Sequence, residues 1–66
     1  MDYKKDIKIL LGAIDWNAMQ LHEMIDDLDA NKDIDLEKAK THCDIIRLRA
    51  VEMLNHFREM KKEASN

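Results

Sequence analysis

Two series of apolar residues, spaced alternately by three and four positions, run through nearly the whole chain. The first is Ile7, Leu11, Ile14, Ala18, Leu21, Ile25 and Leu28; the second is Leu36, Ala39, Cys43, Ile46, Ala50, Met53, Phe57, Met60 and Ala64. A repeat averaging about 3.5 residues keeps each series along one side of an α-helix, whereas a strand would need a period of two. One glycine and no proline leave few points at which a helix must break. The pattern predicts an all-α chain. A single domain over residues 1–66 contains a helix over 2–28, a bend over 29–35 and a helix over 36–62, folded back as an antiparallel two-helix hairpin.

Local signals agree with that division. Asp2 and Asp6 suit the positive end of the first helix, and Lys61 and Lys62 the negative end of the second, with residues 63–66 expected to fray. Asn31 can take the left-handed conformation that ends a helix, and Asp33 or Asp35 can cap the next one. With Asp35 as the cap, Ile34 and Ala39 fall at the two positions of a hydrophobic staple. Gly12 interrupts the first helix, through close helix approach or through simple tolerance.

A hairpin of 66 residues buries too little apolar surface to be comfortable alone. A lone cysteine rules out an internal disulfide and fits a reducing compartment, so self-association is expected: a homodimer closing a four-helix bundle. Apolar residues left over from the ladders support this. Ile9, Ala13, Trp16 and Met19 lie off the first ladder; Ile45, Leu48, Val51 and Leu54 lie off the second. They pack between protomers, the preferred reading, or dock a different protein. The residues expected to carry such a contact are Ile9, Trp16, Met19, Ile45 and Leu48, with Trp16 as the energetic anchor.

Conventional chemistry finds little foothold. The bend sequence from Asp27 to Lys38 alternates oxygen-bearing side chains as a calcium loop does, but Lys32 stands where the loop needs glycine and Lys38 where it needs the final glutamate. His22, His42, Cys43 and His56 are the available soft-metal ligands; His42 and Cys43 are adjacent and neither has a partner three or four residues away on its own helix, and His42 and His56 share a face but lie fourteen residues apart. No metal, no cofactor and no enzymatic activity are expected. The net charge of −3 argues against a general grip on nucleic acid. Acidic residues crowd the bend, and the basic ones lie toward the open end. Arg47, Arg58, Lys61 and Lys62 are the residues a nucleic-acid contact would use, interspersed with Glu52, Glu59 and Glu63. No segment is apolar enough to span a membrane and the first residues lack a signal-peptide core, which gives a cytoplasmic expectation.

Both ladders in register, Leu28-Asp29-Ala30 at the bend and an aspartate, Asp35, just before the second helix together resemble the Rop family of plasmid copy-number control proteins. The resemblance implies a helical hairpin that dimerises into an antiparallel four-helix bundle, and a bacterial, phage or plasmid origin. Rop proteins grip paired RNA loops with polar and basic residues on one face of their first helix. With the bends aligned, those places hold Asp2, Ile9, Ala13, Asn17 and Met24 here. A mostly apolar face in that position suits a protein partner better than RNA. The expected function is therefore that of a small cytoplasmic regulatory or adaptor protein acting through protein–protein contacts, with a nucleic-acid-binding regulator as the alternative.

Overall fold

In the computed structural model, which describes residues 2–29 and 33–65, the chain is a hairpin of two α-helices and, among the described residues, nothing else. Helix α1 spans Tyr3–Asp29 and helix α2 spans Leu36–Ser65. They pack side by side into a rod of 56 × 16 × 14 Å. The expected turn at Asn31 lies outside the described residues.

Aspartates start both helices. The backbone N–H of Lys5 donates to Asp2 Oδ1 at 3.0 Å, and that of Lys38 to Asp35 Oδ1 at 3.1 Å. Each bond satisfies one of the orphan donors of a first turn and places a negative charge at the positive end of the helix dipole. Ile34 and Ala39 line the same apolar cleft beside the cap, as a staple requires. Helix α2 continues beyond Lys62 to Ser65, where fraying was expected. Its last turn is held by a Glu59–Lys62 ion pair at 3.5 Å and by the Ser65 hydroxyl donating to the Lys61 carbonyl at 2.9 Å. A Cβ added at Gly12 would meet nothing within 4 Å, so close helix approach is not why a glycine stands there.

The seam between the helices is thin. Its most buried described residues are Ile7, Leu10, Asn17 and His42, and none is completely sealed. Flanked by half-buried Asp6, Ala13, Ala18 and Gln20 on α1 and Asp44, Ile45 and Ala50 on α2, the seam positions run Tyr3, Ile7, Leu10, Ile14, Asn17, Leu21 and Met24 on α1, and Ala39, His42, Ile46, Arg49, Met53, His56 and Met60 on α2. These are heptad seams, but they are not the two apolar ladders. Leu10 takes the place expected for Leu11, Asn17 that of Ala18, Met24 that of Ile25, His42 that of Cys43 and His56 that of Phe57. The helices meet about 50° to one side of the ladders, half a turn-step from where apolarity alone would put the contact.

Candidate functional site

Rotation of the seam leaves the hairpin with two different long sides. Heptad letters make the geometry explicit, with a for Ile7, Ile14 and Leu21 and d for Leu10, Asn17 and Met24 on α1, and a for Ala39, Ile46 and Met53 and d for His42, Arg49 and His56 on α2. Because the helices run in opposite directions, the e positions of both turn to one side of the seam and the g positions of both turn to the other. The e positions are Leu11, Ala18 and Ile25 on α1, and Leu36, Cys43, Ala50, Phe57 and Ala64 on α2. Together with the a positions they reconstitute both ladders. The two ladders therefore open onto the same side and form one apolar face along the length of the rod.

Much of this ladder face is exposed. Leu11, Ile25, Leu28, Leu36 and Phe57 all have 42% or more of their surface open. Cys43, expected inside the seam, is exposed on this face. Near the bend the face dips into a cleft of about 290 Å³ lined by Leu21, Met24, Ile25, Leu28, Ile34 and Ala39, with no polar atom exposed in its wall.

The opposite side carries the polar layers of the seam. Asn17 Nδ2 donates to the Ala13 carbonyl at 2.7 Å, leaving Asn17 Oδ1 to accept from His42 Nδ1, also at 2.7 Å. The bond fixes the His42 tautomer, with its proton on Nδ1. The Trp16 indole meets the His42 ring edge-on, centroids 5.8 Å apart. Two heptads toward the open end, Tyr3 lies against His56 at 5.6 Å. Partial burial, the charges of Glu63 and Glu59 and a hydrogen bond to Glu63 raise the Tyr3 phenol pKa above its ordinary value.

Ile9, Trp16, Ile45 and Leu48, four of the residues expected to bind a partner, share this second side. Trp16 is 57% exposed, and Ile45 is half-buried. Met19 does not join them; it lies at an f position on the outer surface of α1, facing away from α2. A groove of about 200 Å³ opens on the same side, lined by Asp6, Ile9, Leu10, Glu52 and His56.

Of the four basic residues named for nucleic acid, Arg47, Arg58 and Lys61 lie on the outer surface of α2, and Lys62 stands in the Leu48 row at the edge of the Trp16 side. Arg58, Lys61 and Lys62 line one shallow depression with Ser65, while Arg47 stands three turns away. Arg47 pairs with Asp44 at 3.6 Å and Lys62 with Glu59 at 3.5 Å. These are exposed pairs one helical turn apart, the mixed-charge pattern of a solvated surface. Among the described residues, no group of three histidine, cysteine, aspartate or glutamate side chains is placed to hold a metal ion. Neither described helix is long and apolar enough to cross a membrane.

Sequence reasoning missed Asn17 and His42 as partners. Part of their signal was present: Asn17 is the polar interruption between Leu10 and Met24 on the d side of α1, whereas the d positions of α2, His42, Arg49 and His56, are all polar and do not single His42 out. In comparisons with known proteins, no family model matches the chain, and neither does any curated protein or solved structure.

Proposed function

We propose that this chain is a small adaptor or regulatory protein that works as a homodimer through protein–protein contacts, its ladder face covered by the ladder face of a second copy to close a four-helix bundle. One observation carries the reading: both ladders open onto the same side of the hairpin, so each hairpin holds half of a core. A monomer would leave Phe57, Ile25, Leu11 and Leu36 in water along an unbroken stripe, far more contiguous apolar surface than scattered exposed residues present. An isologous dimer buries the stripe against its own copy and makes a wide a, d and e core of the kind four-helix bundles use. The protein-binding reading is favoured over the nucleic-acid one because Arg47 and Lys62 are paired with carboxylates and Glu52, Glu59 and Glu63 intersperse the basic residues, whereas the apolar residues are contiguous.

Sedimentation of the native chain and of a Leu11→Glu, Phe57→Glu variant tests it. The native protein is expected at twice the 7.8 kDa chain mass. The variant, with two charges on the ladder face, is expected to be monomeric with reduced helicity. A native chain that stays at one chain mass over micromolar to millimolar concentration, fully helical, defeats the proposal.

A further inference from the structure

The side away from the ladder face has a composition of its own. Its residues fall into lengthwise rows at seven-residue spacing. On α1 these are Asp2–Ile9–Trp16–Glu23 and Asp6–Ala13–Gln20–Asp27; on α2, Lys38–Ile45–Glu52–Glu59 and Thr41–Leu48–Asn55–Lys62. Ile9, Trp16, Ala13, Ile45 and Leu48 occupy inner positions beside the polar Gln20, Glu52 and Asn55, and carboxylates occupy both ends of the α1 rows. The cations in these rows are Lys38 and Lys62; Lys62 is paired with Glu59, and Arg49, in the seam beside the rows, is paired with Glu52. At the open end Asp6 and Glu52 face each other across the groove, with Ile9 and Leu10 as its apolar wall.

From this arrangement we infer that the Trp16 face binds a basic amphipathic helix of another protein, one with an apolar central stripe and lysine or arginine toward both ends. The inference rests on the reading of the chain as a protein-binding dimer and names the chemistry of the partner. Ile9, Trp16, Ile45 and Leu48 form the central apolar contact, with the exposed indole as its largest element. Asp6 at one end and Glu23 at the other meet the partner's cations, while Glu52 is held by Arg49. Seventeen residues of α1 separate Asp6 from Glu23, about 25 Å of helix, which an incoming helix of about five turns spans. Such a helix laid in the groove presents anchors at three- and four-residue spacing. A second copy of this chain is the poorer occupant, because pairing this face with itself would bring carboxylate rows together. In a dimer closed through the ladder faces, both Trp16 faces stay on the outside, so each assembly offers two such sites.

The test uses two synthetic 18-residue peptides without tryptophan. They carry the same leucine stripe, with lysines in one and glutamates in the other at all remaining positions. Trp16, the only tryptophan of the chain, reports binding through its fluorescence. The lysine peptide is expected to bind with a blue shift, at least tenfold more tightly than the glutamate peptide, and added salt is expected to narrow the gap. An Asp6→Lys, Glu23→Lys variant is expected to reverse the preference, while Trp16→Phe, followed by calorimetry, retains it. Equal affinity for the two peptides, or binding of neither, overturns the inference. So does a Trp16→Ala variant that halves the mass of the assembly, since that would make this face the dimer contact. A native chain that sediments at one chain mass yet prefers the lysine peptide would remove the dimer and leave this site standing.

Discussion

Asn17 and His42 show how much one hydrogen bond decides in a seam this thin. Asn17 is 4% exposed and His42 8%, so neither can turn to water when its partner is lost. Asn17→Ala strands the His42 Nδ1 proton and is expected to cost about 1–3 kcal/mol, read from the urea midpoint. Replacing both residues with leucine removes the polar groups together and is expected to cost much less, or to stabilise. A double variant as damaged as the sum of the singles would show that the pair is not coupled. The bond also ties one register of α1 to one register of α2, so the leucine double variant is expected to lose definition of pairing sooner than it loses helix. Tyr3 supplies a pH signature at the open end. Its phenol is held neutral above the ordinary tyrosine range, so the unfolded chain releases this proton first as pH rises. Stability is then expected to fall as pH climbs through about 10 toward the folded value. Glu63→Gln is expected to lower the absorbance-monitored Tyr3 titration; an unmoved midpoint would contradict the assigned cause.

At the scale of the element, the two helices and their starts were legible in sequence, and the rotation of each about its axis was not. Capping aspartates and ladder spacing are local properties, which is why Asp2, Asp35 and the staple residues Ile34 and Ala39 stand where they were expected. Rotation is set by what a helix packs against. An apolar face wide enough to serve two neighbours gives the same ladder whichever neighbour is nearer, so Leu11 and Leu10 could not be ranked by periodicity alone. Met19 was grouped with Trp16 for the same reason: three residues apart on a helix is near, but here that step crosses from the groove to the outer surface. Gly12 lies on that outer surface with open space around its Cα. Gly12→Ala is therefore expected to raise stability by about 0.5–1 kcal/mol through backbone entropy, with no change in oligomer mass. A loss of stability would reveal a neighbour across Gly12 in the assembled protein.

For the whole molecule, the hairpin is a two-sided rod whose sides answer to different forces. The ladder side is almost purely apolar, so its association is expected to tolerate salt and to weaken on dilution. The Trp16 side mixes apolar and acidic residues, and its contacts are expected to respond to ionic strength. Apolar residues on both sides of a 66-residue chain would be a solubility hazard if both stayed open, and charged residues at 38% of the sequence oppose it.

The placement of Cys43 gives this molecule a built-in clock. The thiol sits open on the ladder side of the hairpin, where the proposed dimer would cover it. A maleimide should label it quickly in dilute samples and slowly in concentrated ones, with the crossover marking the affinity of the pair. A labelling rate that ignores dilution across that range would mean that nothing ever closes over this sulfur.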